Sequence, residues 1–191
     1  MNAVEKQSTI NEVFELYENF GVSEYVGEPV SLIEHMSQSA QLAMQTGQDD
    51  EVILAAFFHD IGHMCALKNE TNSMGIYGAK SHEKIGADFL RAKGFSEKIA
   101  RLVENHVQAK RYLTHKYPDY YNNLSEASKK TLEYQGGKMT EEEAHQFEND
   151  PLFATSILMR QWDEEAKLEN IPVIDIKKIK SKALAALDSN S

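Results

Sequence analysis

A histidine and an aspartate stand side by side, His59 and Asp60, directly after the apolar run Val52–Phe58. No glycine or proline separates the run from His59, and His63 follows four residues later. On a continuous buried helix, the two histidines would lie one turn apart on the same side. Burying imidazoles and a carboxylate costs free energy unless a partner satisfies them, and a metal ion does so well. The pattern also fits polar residues at a helix C-terminus near Gly62, so the rest of the chain has to separate the two interpretations.

Other predicted core helices also carry histidine or aspartate among apolar residues. Each one alone fits an ordinary core or surface histidine, but several such helices together favour a shared site. Imidazoles and carboxylates without thiolate favour Fe, Mn, Zn, Co or Ni over a structural cysteine–zinc site. The histidines exceed the needs of one metal, which predicts two ions bridged by Asp60. The residues of this set are His35, His59, Asp60, His63, His82, His106 and Asp163, while His115 and His145 lie in polar surroundings and are predicted to be surface residues.

The elements that must position these residues are predicted to be helices. Capping residues and 3.6-residue periodicity place helix starts near Ser8, Pro29, Asp49 or Asp50, Ser81, Ser96, Ser125, Thr140, Asp150 and Pro172. Residues 66–79 show no clear period and are predicted to be a long loop of the kind that is often functional. With no convincing strand and no internal repeat, the sequence predicts an all-α fold.

Length and composition predict one soluble domain over residues 1–191, with N- and C-terminal helices packed on its core. The net charge of −10 argues against a nucleic-acid surface. The single cysteine, Cys65, cannot form an intramolecular disulfide, which suits a reducing compartment. The N-terminus lacks a signal-peptide pattern, and no apolar run approaches a membrane span. We therefore expect a cytoplasmic protein without a membrane or nucleic-acid partner; the sequence does not predict an oligomeric state.

The order His … His-Asp … Asp, represented by His35, His59-Asp60 and Asp163, resembles the signature of the HD-domain superfamily over roughly residues 25–165. His82 and His106, between the central pair and the last aspartate, are what dinuclear members of that superfamily add. This arrangement alone is compatible with a dinuclear phosphohydrolase.

Four blocks narrow the resemblance: residues 25–28, 54–63, 106–113 and 130–137. Together they are similar to the PhnZ-type mixed-valent di-iron oxygenases, the family of 2-amino-1-hydroxyethylphosphonate dioxygenase and, more distantly, myo-inositol oxygenase. The resemblance implies an HD-domain helical bundle with a dinuclear site in its core. It also implies two iron ions as an Fe(II)/Fe(III) pair and O2 as cosubstrate.

The same resemblance implies which residues hold the metals and what the reaction is. One iron would be bound by His35, His59, Asp60 and Asp163, and the other by Asp60, His82 and His106. The reaction would cleave the C–P bond of a 1-hydroxy-2-aminoethylphosphonate, or of its N-trimethyl analogue, to a carboxylate (glycine or glycine betaine) and phosphate.

A third set of residues would bind this substrate. The matching positions for the phosphonate are His63, Lys110, Ser128, Thr131, Gln135 and Arg160. Lys110 lies one turn beyond His106 on the same helix face, so its position alone also allows it to reach an anion at the metals. Tyr25 and Glu28 would form a movable lid, with Glu28 meeting the cationic group of the substrate. Asp60, His63, Lys110 and Tyr25 are the catalytic candidates.

Two other interpretations stay open on the sequence alone. The first is an HD-type metal-dependent phosphohydrolase of a nucleotide or phosphate monoester, in which metal-bound hydroxide attacks phosphorus. The second is a degenerate HD domain that serves as a sensor or interaction module. The presence of a suitable residue at every expected ligand position argues against it.

Overall fold

The structure is a computed structural model that describes residues 1–25, 27–69 and 79–189. Within that part the chain is helical, without strands, and Glu24 and Ser31 form an isolated antiparallel bridge. The all-α prediction is confirmed. The helices are α1 Ala3–Phe20, α2 Leu32–Gln45, α3 Asp50–Phe58, α4 Ile61–Asn69, α5 His82–Ala92, α6 Glu97–Lys116, α7 Pro118–Asn123, α8 Glu126–Tyr134, α9 Glu141–Glu148, α10 Phe153–Glu165 and α11 Ile176–Ser189.

Side-chain caps start several helices where the sequence predicts them. Asp49, Ser96, Ser125 and Thr140 each accept a hydrogen bond from a backbone N–H in the first turn that follows. The first helix is an exception, because it begins at Ala3 rather than near Ser8. Its cap is Asn2, whose side chain accepts from two backbone N–H groups and completes a capping box.

The helix predicted through His59 and His63 is broken in two. It ends at Phe58, His59 caps it in right-handed geometry, and α4 begins at Ile61. The N–H of His63 donates to the carbonyl oxygen of Asp60 over 3.0 Å, a three-residue spacing that tightens the turn. The prediction of one continuous helix was therefore wrong, and the aspartate sits at the turn.

The physical cause of the break lies in contacts with the last turn of α3. The hydroxyl of Tyr17 donates to the carbonyl oxygen of Phe57 over 3.0 Å, and the His59 ring donates to the carbonyl oxygen of Ala56 over 2.8 Å. These side chains satisfy carbonyls that a continuing helix would otherwise bond.

The predicted loop 66–79 is also shorter than expected. Residues 66–69 belong to α4, and residues 70–78 lie outside the described part of the chain.

The main core surrounds α3, which is buried on all faces from Val52 to Phe58. Helices α1, α2, α4, α5, α6, α10 and α11 contribute the other buried apolar side chains. A smaller apolar cluster joins α6 to α9 around Tyr112 and Phe147. Among the residues the structure describes, no helix is long and apolar enough to cross a membrane.

Candidate metal centre

Six residues predicted as ligands converge in the core from five places in the chain. They come from α2, the turn between α3 and α4, the first residue of α5, the middle of α6 and α10. None is more than 4% exposed. A cluster of imidazoles and carboxylates this deep needs a charged partner, because water does not reach it. The six are His35, His59, Asp60, His82, His106 and Asp163.

The carboxylate of Asp60 faces two groups of histidines at once. Its Oδ2 lies 3.6 Å from Nε2 of His35 and 3.5 Å from Nε2 of His59. Its Oδ1 lies 3.2 Å from Nε2 of His82 and 3.6 Å from Nε2 of His106. Oδ2 is buried and has no hydrogen-bond partner in residues 1–25, 27–69 and 79–189. A carboxylate with one oxygen toward each of two donor groups has the arrangement of a ligand that bridges two ions.

The first donor group is completed by Asp163. Its Oδ1 lies 3.3 Å from Nε2 of His35 and 4.0 Å from Nε2 of His59. The two imidazole nitrogens are themselves 3.0 Å apart. Donor atoms of these three residues lie within 4.8 Å of one another, which suits a single ion between them.

In three of the histidine rings the proton lies on Nδ1, so the lone pair of Nε2 faces the cluster. The Nδ1 atoms of His35, His59 and His106 donate to the carbonyl oxygens of Ala166, Ala56 and Val103, over 2.9, 2.8 and 2.6 Å. A ring nitrogen that donates to a carbonyl carries the proton, so Nε2 of the neutral ring is a free donor for a metal.

His82 differs in its surroundings. Among the described residues, its Nδ1 has no hydrogen-bond partner; it lies 3.8 Å from Oε2 of Glu83, a buried carboxylate oxygen that also lacks one there. The preceding residue, Ser81, has a left-handed backbone with a φ of 58°, which a residue with a side chain adopts at a cost. This strain lies directly before a ligand position.

His63 also turns its Nε2 toward the cluster, 3.9 Å from Oδ1 of Asp60, but that nitrogen carries the ring's proton. The backbone N–H of Ala79 donates to Nδ1 of His63 over 3.1 Å, so the neutral ring carries its proton on Nε2. Burial and the neighbouring His82 lower the pKa of His63 to about 3, which keeps the ring neutral. His63 also lies within 4.8 Å of Asp60 and His82 in ligand-like spacing, but its Nε2–H is a donor and offers no lone pair.

The electrostatics of the cluster suit a cation. Burial alone would raise the pKa of Asp60, but His59 and His82 outweigh it and hold that pKa well below its usual range. Burial would also raise the pKa of Asp163, but Arg160 and His35 outweigh it and hold that pKa well below its usual range. Charged carboxylates and neutral Nε2 donors without thiolate form a set that fits iron, although other first-row metals accept it too.

Two cations lie beside the cluster on helices α6 and α10. Lys110 is 3% exposed and donates to the hydroxyl of Thr131 over 3.0 Å. Burial and the nearby Arg160 lower the pKa of Lys110 to about 7. Arg160 donates to Asp163 over 2.5 Å, while its Nη2 is buried without a hydrogen-bond partner in the part of the chain that the structure describes. A lysine and an arginine with spare donors suit a phosphonate group.

The remaining predicted phosphonate contacts lie on or just after α8. Ser128 and Thr131 are half-buried, and the carbonyl oxygen of Ser128 accepts from the Thr131 hydroxyl over 3.2 Å. Oε1 of Gln135 is buried and accepts no hydrogen bond from the residues described. The structure therefore brings Thr131 to Lys110 directly and leaves Gln135 with an unused acceptor.

Tyr25 and Glu28 lie in a tight turn before α2. The N–H of Glu28 donates to the carbonyl oxygen of Tyr25 over 2.9 Å, and Gly27 has a φ of 85°. The Tyr25 ring stacks on His35, with centroids 4.5 Å apart and planes at 17°. The turn thus places the tyrosine against one ligand position of the cluster.

Several residues near the site were not predicted. Tyr120 accepts from Nε of Arg160 over 2.9 Å, and Glu164 accepts from the same atom over 2.7 Å. Glu164 is four residues after Arg160 on α10, so helical spacing could have identified it. Lys167 pairs with Glu28 across 139 positions of sequence, and no local pattern indicates that pair.

Known proteins resemble this chain over most of its length. The HD domain profile matches residues 32–147. Uncharacterized protein L432 of Acanthamoeba polyphaga mimivirus is 49% identical over 83% of this chain and 73% of its own length. The [1-hydroxy-2-(trimethylamino)ethyl]phosphonate dioxygenase (glycine-betaine-forming) of Leisingera caerulea is 39% identical over 84% of this chain and 81% of its own length. The hydroxymethylphosphonate dioxygenase of Gimesia maris is 36% identical, over 94% and 88% respectively.

Proposed function

The chain belongs to the HD-domain family, and we propose that it is a non-haem di-iron dioxygenase that cleaves the C–P bond of a 1-hydroxyphosphonate. The observation that carries the proposal is the carboxylate of Asp60, whose two oxygens face separate groups of buried donors. One ion would be held by His35, His59, Asp60 and Asp163. The other would be held by Asp60, His82 and His106.

The proposed substrate is 1-hydroxy-2-aminoethylphosphonate or its N-trimethyl analogue. Glu28 supports a cationic substituent, because its carboxylate lies in the turn that carries Tyr25. The Leisingera relative is named for a trimethylamino substrate, and the Gimesia relative for one without a cation. The products would be glycine or glycine betaine together with phosphate.

The reaction consumes one O2 for each C–P bond broken. One oxygen atom completes the carboxylate and the other completes the phosphate, and the C1 hydrogen leaves as a proton, so atoms and electrons balance. When bound, the iron pair supplies the redox chemistry and the activation of O2. The protein supplies a dry, charged cavity and holds the substrate.

Different side chains beside the cluster would bind different parts of the substrate. Lys110 and Arg160 would neutralise the phosphonate, with Thr131, Ser128 and Gln135 completing its polar surroundings. His63 would donate its Nε2–H to a phosphonate oxygen, a role that its protonation supports better than metal binding. Tyr25, stacked on His35, would cover the first ion until substrate enters.

The test separates this oxygenase from an HD-type phosphohydrolase. Iron-loaded protein is mixed with each aminated hydroxyphosphonate under O2 and, in parallel, without it. We expect equal amounts of O2 consumed and phosphate released, and no phosphate under anaerobic conditions. Phosphate release at the same rate without O2 would contradict the oxygenase and support the phosphohydrolase.

A further inference from the structure

The carboxylate that would receive the substrate's cation already has an internal partner. Oε1 of Glu28 accepts from Nζ of Lys167 over 2.6 Å and from the hydroxyl of Ser125 over 2.7 Å. The Glu28 side chain is 8% exposed and that of Lys167 is 17% exposed. An ion pair this well buried is screened little by solvent, so the lysine cancels much of the charge that Glu28 presents.

The backbone around Lys167 is held in place from both sides. The carbonyl oxygen of Ala166 accepts from His35 over 2.9 Å. The N–H and carbonyl oxygen of Leu168 bond the side-chain amide of Gln38 over 3.1 and 3.0 Å. Helix α2 therefore fixes the segment that follows α10, and with it the origin of the lysine side chain. This is a positioned residue and not a surface lysine that meets a carboxylate by chance.

Lys167 also lies within electrostatic reach of the phosphonate contacts. Burial and Arg160 contribute most to the lowered pKa of Lys110, and the charge of Lys167 adds to them. The pair formed by Glu28 and Lys167 therefore lies close enough to Lys110 for the two lysine charges to interact. A cation that enters beside Glu28 meets a carboxylate that is already bonded.

We propose that Lys167 is a specificity-determining residue: it competes with the cationic group of the substrate for Glu28 and so reduces the preference for aminated hydroxyphosphonates. This inference rests on the proposed function for the identity of the substrates. With Lys167 in place, an ammonium group has to displace or share the lysine. A hydroxyphosphonate without a cation leaves the pair intact.

Removing the lysine should change the relative affinities for ligands with and without a cation. Glu28 would then be a buried carboxylate without its cation, and an ammonium group would restore the pair. A ligand without a cation would leave that charge uncompensated beside the phosphonate. Because hydrogen bonds to charged groups are among the stronger ones, we expect the two affinities to diverge by about tenfold.

The experiment measures anaerobic equilibrium binding of 1-hydroxy-2-aminoethylphosphonate and hydroxymethylphosphonate to the iron-loaded protein. The quantity compared is the ratio of the two dissociation constants in the wild type and in Lys167→Met. Lys167→Arg keeps the charge, and Lys130→Met removes an exposed lysine of α8 with the same change in net charge. Glu28→Gln serves as a second variant that acts on the other side of the pair.

Three results are expected together. Lys167→Met shifts the ratio by about tenfold toward the aminated ligand, Glu28→Gln shifts it away, and both controls stay near the wild type. An unchanged ratio in Lys167→Met, or an equal shift in Lys130→Met, overturns the proposal. O2 consumption is measured separately, so a protein that binds both ligands without consuming O2 refutes the dioxygenase while the binding ratios still test Lys167. Failure of the wild type to bind either ligand overturns both.

Discussion

At the scale of single residues, Asp60 is the group whose chemistry the site depends on most. Asp60→Asn replaces one acceptor oxygen with an NH2 group, which cannot ligate an ion, and removes the bridging charge. We expect the metal content after anaerobic iron loading to fall from about two ions per chain to one or fewer. Elemental analysis measures it, and Asp88→Asn, at an exposed carboxylate of α5, makes the same charge change as a control. Full metal content in Asp60→Asn would contradict the bridge.

Glu83 tests how His82 is oriented. Three ligand histidines donate Nδ1–H to backbone carbonyls, but the corresponding atom of His82 forms no hydrogen bond within the described part of the chain and lies 3.8 Å from the carboxylate of Glu83. A small movement on metal binding would form that hydrogen bond. Partners of this kind contribute about 10–100-fold to metal affinity.

We therefore expect Glu83→Gln to weaken one of the two ions by about 10–100-fold and to leave the other unchanged. Competition with a chelator of known affinity measures both constants. Glu133→Gln, at an exposed carboxylate on α8, is the matched control. Equal weakening of the two ions would indicate a general loss of structure.

Lys110 tests the phosphonate contact. It is buried and donates to Thr131, so an anion would gain a charged donor already held in place. Lys110→Met should raise the anaerobic dissociation constant of a hydroxyphosphonate by about 10–100-fold, the equivalent of roughly 1.5–3 kcal/mol. Lys116→Met removes an exposed lysine from the same helix and should have no such effect. Comparable affinity in the two variants would place the phosphonate elsewhere.

At the scale of elements, the crossing of α4 and α5 brings the second donor group to Asp60. Gly62 lies so close to α5 that an added Cβ would clash with the carbonyl oxygen of His82 and lie 2.9 Å from the amide nitrogen of Gly86. Both neighbours are backbone atoms and cannot rotate away. The glycine therefore fixes how near the His82 helix comes to the turn that carries Asp60.

Gly62→Ala should lower the free energy of unfolding by about 1–3 kcal/mol and displace His82. Denaturant unfolding measures the first effect, and metal content the second. Gly137→Ala is the control, since Gly137 has a φ of 70° and open space around it. That control should lose about 1 kcal/mol through backbone strain and keep its metals. Normal metal content in Gly62→Ala would show that the close contact of α4 with α5 is not needed for metal binding.

The elements also show why some features could be predicted and others could not. Helix starts with a side-chain cap, such as those at Asp49 and Thr140, depend on residues three apart and are visible in the sequence. The break after Phe58 depends on Tyr17, which is far away in sequence, so the apolar run gave no sign of it. The candidate metal ligands were predicted from their residue types and the substrate contacts from the family resemblance, but the pairing of Glu28 with Lys167 depends on how α2 holds the segment after α10.

At the scale of the whole molecule, the basic side chains near the site contrast with the acidic net charge of the chain. The chain carries a net charge of −10, yet Lys110, Arg160 and Lys167 lie near one another beside the cluster of histidines and aspartates. A small dianion can therefore find a locally cationic site on an acidic protein. The same distribution leaves the exterior acidic, which disfavours phosphate polymers.

The six candidate ligands also join most of the bundle, since they come from α2, the α3–α4 turn, α5, α6 and α10. Two ions would stabilise all of these elements at once, because ions that bind only the folded state add free energy of unfolding. At a metal concentration about a thousandfold above the dissociation constant, one site contributes roughly 4 kcal/mol. Removing iron with a chelator should therefore lower the unfolding temperature by several degrees, and adding iron back should restore it. Asp60→Asn, which is expected to hold one ion or none, should show a smaller difference in unfolding temperature with and without iron than the wild type. If chelation left the wild-type unfolding temperature unchanged, the six buried ligands would not be holding ions that support the fold.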